Sequence, residues 1–158
     1  MNSKNKEVED HRIYIESILD KYGGGKNPVD EGSIVGTLDD QHFECSADSW
    51  VEHADKNGKR LLLLFKSKDS GINLEVDQSA LSSLMYDFRM GYGDFFNFLF
   101  GNDPGRWDAD TAKLSGVSFD ASTGRLQCDV DATLWRGDPP NLETAKLKAK
   151  LLVVKPVK

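Results

Sequence analysis

Few side chains in this sequence have the type and spacing that chemistry requires. The histidines are His11, His42 and His53, and the cysteines are Cys45 and Cys128. His42-x-x-Cys45 together with His53 and Cys128 would supply four ligand types suited to a transition metal, but structural metal sites use two matched short-spaced pairs and this set has only one. No metal is expected. General acid–base catalysis needs an ionisable group in apolar surroundings, because desolvation is what moves its pKa toward neutrality. The candidates are His42, His53, Asp87 and Asp94. Asp94 reads as a helix cap and Asp87 as an outward residue, so the four make no constellation. Asp103, Asp108 and Asp110 lie close together, but they lack the D-x-D-x-D-G order and distant Glu of a calcium loop.

Known catalytic and nucleotide motifs are missing. The sequence has no G-x-S-x-G, no H-E-x-x-H, no C-x-x-C and no G-x-x-x-x-G-K-[ST]. Gly23-Gly24-Gly25-Lys26 follows no strand, and no Ser or Thr comes after its lysine. No catalytic residue and no cofactor are assigned, and the chain reads as a binding protein rather than an enzyme.

Aromatic side chains are the other chemically loaded feature. Tyr86, Phe88, Tyr92, Phe95, Phe96, Phe98, Phe100 and Trp107 are eight of the fifteen aromatic residues, gathered in 22 positions. Helical spacing cannot bury them all on one face, so Tyr86, Tyr92, Phe95, Phe96, Phe98, Phe100 and Trp107 are the candidate contact residues for a ligand or partner. Gly91 and Gly93 flank Tyr92 and give this segment a joint.

Periodicity indicates what positions these residues. Val8, His11, Ile15, Ile18, Leu19 and Tyr22 recur at helical spacing and predict a helix over 6–22, joined by a glycine-rich linker, 23–32, to the rest of a single domain, 1–158. Asp39-Asp40 and Asn57-Gly58 mark hairpin turns, and the run Arg60 to Lys66 is apolar on both alternating faces, as in a strand covered twice. Ile72, Leu74 and Val76 mark another strand. Leu81, Leu84, Met85 and Phe88 predict a helix over 78–90 behind an Asp77 or Ser79 cap, and Asp94 is expected to cap a second one over 95–100.

Leu114 to Phe119, Leu126 to Trp135 and Thr144 to Val154 predict a three-stranded antiparallel meander. Its turns set Phe119 opposite Leu126, Val117 opposite Cys128, Ala132 opposite Leu147 and Val130 opposite Ala149 on one apolar face. The other face then carries Asp131 beside Lys148 and Asp129 beside Lys150. Ser115, Cys128, Ala132, Ala145 and Ala149 are small positions on the expected apolar face. Either the 78–90 helix packs against them, or a pocket for a small apolar or aromatic ligand opens there.

The expected fold is therefore α+β: an N-terminal helix, a bent antiparallel sheet ending in the C-terminal meander, and one or two helices inserted before it. Over the helix-plus-meander half the order is similar in topology to the cone-shaped nuclear-transport-factor-like family. The strands of 33–76 depart from that family, and no site residue is carried over.

Composition bounds the function. A 158-residue chain with 39% hydrophobic and 29% charged residues buries a sizeable core. Its net charge of −6 makes it a poor partner for nucleic acid or an anionic membrane. Residues 143–158 carry +4, but their lysines alternate with apolar residues along a strand, which fits cross-strand pairing. The longest apolar run, Leu61 to Phe65, is too short to span a bilayer, and the first residues lack a signal-peptide core. The expected setting is cytoplasmic, with two buried free thiols. The expected function is a small acidic interaction protein, either self-associating or binding a protein partner through the 86–107 segment. The alternative is a pocket protein or enzyme for an apolar ligand held between the meander and the aromatic helices.

Overall fold

Alternation of apolar and polar residues governs almost every element of the chain. A computed structural model describes residues 29, 31–68, 70–100, 106–137 and 140–156. The expected helix 6–22 and most of the linker 23–32 lie outside the described residues. Nine strands follow one another: β1 Gly32–Leu38, β2 Gln41–Asp55, β3 Gly58–Lys66, β4 Ser70–Asp77, β5 Met85–Asp87, β6 Phe95–Phe100, β7 Arg106–Asp120, β8 Arg125–Arg136 and β9 Glu143–Val154. All pairings are antiparallel, and eight strands close into a barrel in the order β1-β2-β3-β4-β6-β7-β8-β9, with β9 returning to β1. The three-residue β5 adds to β7 beside the ring.

Every second residue points inward. Ile34, Phe43, Cys45, Leu61, Leu63, Phe65, Ile72, Leu74, Phe96, Phe98, Leu126, Val130, Leu134, Leu147 and Leu151 belong to one continuous core. Large side chains come from β2, β3, β4 and β6. The facing wall is built from small ones: Gly36 of β1 pairs with Ala149 of β9, which pairs with Val130 of β8. Phe43 and Phe98 meet edge to face across the interior with ring centroids 5.0 Å apart. Four of the small positions of the meander, Cys128, Ala132, Ala145 and Ala149, therefore belong to the core inside the same barrel.

The α+β expectation is corrected at both inserted helices. At 78–90 the helix stops after one 3-10 turn, Gln78–Ser82, capped by Asp77 accepting from the Ser79 amide. The Ser82 and Ser83 hydroxyls both bond the Ser79 carbonyl, and Ser83 turns extended. Serines that bond nearby backbone compete with helix continuation, and four of the six residues 78–83 are not apolar enough to hold a helix against the core. Residues 95–100 form β6, hydrogen-bonded to β4 and β7. Phe96 and Phe98 point in while Asn97 points out, a period of two, and a six-residue helix rich in Phe has little intrinsic stability. Among the described residues no helix lies beneath the meander, so the likeness to the cone-shaped family falls as well.

The meander register agrees at Phe119 with Leu126, Ala132 with Leu147, Val130 with Ala149, Asp131 with Lys148 and Asp129 with Lys150. A bulge between Ser115 and Ser118 changes two details, since Val117 makes no ladder pair with Cys128 and Ser115 leaves the apolar face. Ser115 pairs with Asp129 on the outer face, while Leu114 pairs with Val130 inside. The bulge lets β7 keep both Leu114 and Val117 in the core.

Close approach of β1 to β9 depends on Gly36. A Cβ there would lie 2.0 Å from the Lys148 carbonyl oxygen and 2.5 Å from the Ala149 Cα. Gly36→Val is expected to destabilise the protein by about 3 kcal/mol or more through overpacking. Gly91→Ala, where no atom lies within 4 Å, should change stability by less than about 1 kcal/mol. Urea unfolding of the two variants checks the contrast.

Candidate functional site: the strap that closes the barrel

Residues 78–94 run from the end of β4 to the start of β6 and act as a strap over one end of the barrel. The strap is needed because β6 pairs with β4 only as far as Glu75, which leaves the middle of β7 without a ladder partner on that side. Met85–Asp87 fills the gap by pairing with Lys113–Ser115, and Phe88 N bonds the Ala112 carbonyl. Ala80 and Leu81 of the 3-10 turn pack onto the core from that end.

A buried polar network fastens the strap. The Asp94 carboxylate accepts three hydrogen bonds: from Arg60 Nη2 at 2.6 Å, from the Tyr86 hydroxyl at 2.5 Å and from the Arg89 backbone N–H at 2.7 Å. Arg60 also faces Glu75, with Nε 3.7 Å from Oε2, and His53 Nε2 lies 2.5 Å from Glu75 Oε1. Arg60 and Glu75 are 0% exposed, and His53 and Asp94 are buried too. Burial disfavours the Arg60 cation, yet the Asp94 bond and the charges of Asp94 and Glu75 more than offset it and raise its pKa. Burial likewise pushes the Tyr86 phenol up, and its bond to Asp94 adds to the shift.

The strap's outer side is apolar and open. Leu84 is 77% exposed and Tyr92 61%, with Met85 and Met90 also exposed. The Arg89 guanidinium lies 5.4 Å from the centre of the Tyr92 ring and its Nη2 is 3.3 Å from Asp77 Oδ2. Asp87 is exposed between them in sequence.

The candidate contact residues separate. Phe96, Phe98, Trp107 and Tyr86 belong to the barrel core. Phe95 packs on an outer apolar cluster with Val51, Leu62 and Leu64. Phe100 ends β6 opposite Ser70. Tyr92 alone of the seven is an exposed side chain among those described. Leu84, Met85 and Met90, its exposed neighbours, were hidden from sequence reading because helical spacing assigned Leu84 and Met85 to a buried face. The enclosed space between Leu63, Leu74, Val76, Ala80, Leu114 and Leu151 amounts to about 10 Å³, less than a ligand of any size requires.

Two of the four acid–base candidates, His53 and Asp94, do share one network, linked through Glu75 and Arg60. The signal was an arginine opening the apolar run 60–66 on the same alternating face as Leu62 and Leu64. His42 is exposed on the outer face of β2, whereas Cys45 points into the core, so they cannot bind one metal. Among the described residues no group of three or more metal-ligating side chains comes together. Cys45 and Cys128 are free and buried, with β1 and β9 between them, about 14 Å of ladder spacing and far beyond disulfide reach. Among the described residues no helix is long and apolar enough to cross a membrane.

Asp94→Ala leaves Arg60 buried beside a lost partner, and is expected to cost about 3–5 kcal/mol and to speed amide exchange across 84–93. Arg89→Ala, removing an exposed and solvent-screened pair, should leave the urea midpoint close to that of the unsubstituted protein. Urea titration with hydrogen exchange checks both.

Alkaline pH offers a second test. Burial, with a smaller push from Asp129, moves the Cys128 thiol up to about 12 from an ordinary 9.0. The unfolded chain ionises first, so the contribution is whole below pH 9 and is lost as pH rises toward 12. Stability measured by urea unfolding should fall between about pH 9 and pH 11, and Cys128→Ala should make that fall shallower.

Comparison with known proteins gives no match for this chain: none to a family model, none to a curated protein and none to a solved structure.

Proposed function

We propose that this chain is a binding domain without a catalytic centre, and that its strap engages the strap of a second copy. One observation carries the reading: of the five large apolar side chains exposed among the described residues, Leu84, Met85, Met90 and Tyr92 fall within nine positions. Scattered exposed apolar residues are ordinary, but a cluster on one segment marks a contact surface. Methionine adapts its shape to a partner, and tyrosine supplies a stiff amphipathic anchor.

Self-association fits the local charge. Asp87 and Arg89, both exposed, stand between Met85 and Met90 with opposite signs, so two straps related by a two-fold axis can set Asp87 of one near Arg89 of the other. The pairing avoids the repulsion expected from a chain of net charge −6. Pinning by Asp94 also limits the ordering cost of association, because the strap is held before it meets a partner. A reducing, cytoplasmic setting belongs to the same proposal and is supported by the two free cysteines.

Sedimentation velocity over a concentration series tests the reading. The expected result is a reversible dimer whose dissociation constant rises at least roughly tenfold in Leu84→Ser/Tyr92→Ser. Its thermal midpoint should stay close to the unsubstituted protein's, since both side chains are exposed. A monomer at every concentration up to about 0.5 mM, or a dimer indifferent to the substitutions, overturns it.

A further inference from the structure

Asn57-Gly58 is the one place in the chain where a glycine follows an asparagine. Glycine has no side chain to shield its amide nitrogen, so this dipeptide gives a main-chain nitrogen its least hindered approach to an asparagine side-chain carbonyl carbon. The pair lies where the two-residue turn Lys56-Asn57 joins β2 to β3. Lys56 and Gly58 are exposed and Asn57 is half-buried. Gly58 has φ +105°, and a Cβ built on it would meet nothing nearer than Asp77 Oδ2 at 3.9 Å. Water and a closing ring both have room at this turn.

The Asn57 side chain also touches the end of the strap. Its Nδ2 lies 2.8 Å from the point a Gly93 Cβ would occupy, and Arg60 Nη2 lies 3.5 Å from the same point. Gly93 precedes Asp94, and Arg60 Nη2 is the donor that holds Asp94 at 2.6 Å. The asparagine best placed to cyclise therefore stands beside the buried anchor of the strap.

We propose that Asn57 is a self-modification site, converted through a succinimide with Gly58 into aspartate or isoaspartate, and that the new carboxylate draws Arg60 from Asp94 and loosens the strap. The Gly58 nitrogen gives its proton to solvent base and attacks the Asn57 Cγ. A Cγ–N bond forms, the Cγ–Nδ2 bond breaks, and the side-chain nitrogen takes up a proton and leaves as ammonia. Water then adds to one of the two ring carbonyls. Breaking the new Cγ–N bond gives aspartate, and breaking the original peptide bond between Asn57 and Gly58 gives isoaspartate. Water is the only co-reactant. Either product puts a negative charge where a neutral amide stood, close to a cation that is 0% exposed and therefore weakly screened. That charge competes with Asp94 for Arg60 and repels the Asp94 carboxylate. Isoaspartate also adds one methylene to the main chain of a two-residue turn. The modification acts on how the strap is held and needs no partner.

Ageing the full-length protein in mildly alkaline buffer, followed by peptide mapping with mass spectrometry, tests the chemistry. Asn57 is expected to convert at least roughly tenfold faster than Asn73 and Asn97, which are bonded to each other at 2.8 Å across β4 and β6. Asn57→Gln, whose longer side chain would have to close a less favourable ring, should not convert. Hydrogen exchange tests the consequence. Amides of 84–93 should exchange at least roughly threefold faster in the aged protein and in Asn57→Asp than in fresh protein, and no faster in Asn57→Gln. Amides of β8 and β9 should keep their protection throughout and so report an intact barrel. Conversion of Asn57 no faster than that of the two strand asparagines overturns the proposal, as does conversion that leaves exchange of 84–93 unchanged. Equal quickening in Asn57→Gln and Asn57→Asp overturns it as well, since loss of the amide and not the new charge would then loosen the strap.

Discussion

Closure of eight strands into one ring is the constraint on which everything else in this protein depends. A barrel of this size has an interior just wide enough for side chains, so every inward position is a question of volume. The chain answers it asymmetrically. β2, β3, β4 and β6 send in Phe43, Leu63, Phe65, Ile72, Leu74, Phe96 and Phe98, and the facing wall makes room with Gly36, Ala132, Ala145 and Ala149. The result is a filled interior whose largest members are the same aromatics that stand out in the sequence.

One end of the ring does not close by regular pairing, and an irregular strap covers it. Its hydrogen bonds come from different levels of the structure: β5 on β7, the 3-10 turn on the core and Asp94 on Arg60, Tyr86 and Arg89. A buried ion pair of this kind is a weak source of net stability, because desolvation consumes most of the attraction, but breaking it is costly. It therefore fixes where the strap lies. Held in place, Leu84, Met85, Met90 and Tyr92 become a preformed surface.

Local patterns made much of this legible. The meander register followed from two-residue periodicity checked on both faces at once, and the Asp–Lys neighbours of β8 and β9 fall where that register sets them. The turn at Asp39-Asp40 and the doubly covered strand 60–66 were legible for the same reason: the pattern is contained in a few consecutive residues. The pairings of β1 with β9 and of β4 with β6 were not, because each joins segments distant in sequence and leaves no local signature. Phe95–Phe100 was misread because a short apolar run fits either period, and its two ladder partners decide the matter. The Asp94 site escaped for a similar reason, since Arg60 lies 34 residues away and a carboxylate before an apolar run resembles a helix cap. Of the aromatic cluster, Tyr86, Phe96, Phe98 and Trp107 fill the barrel, and the exposed apolar side chains of the region are Tyr92 and its aliphatic neighbours.

Cross-strand nuclear Overhauser effects in the full-length protein test ring closure most directly. Contacts between the backbone protons of Gly36 and Ala149, Asn73 and Asn97, and Phe98 and Trp107 are expected together. Their joint presence would place β6 inside a closed ring. Sequential helical contacts through 95–100, with none between β1 and β9, would contradict the account.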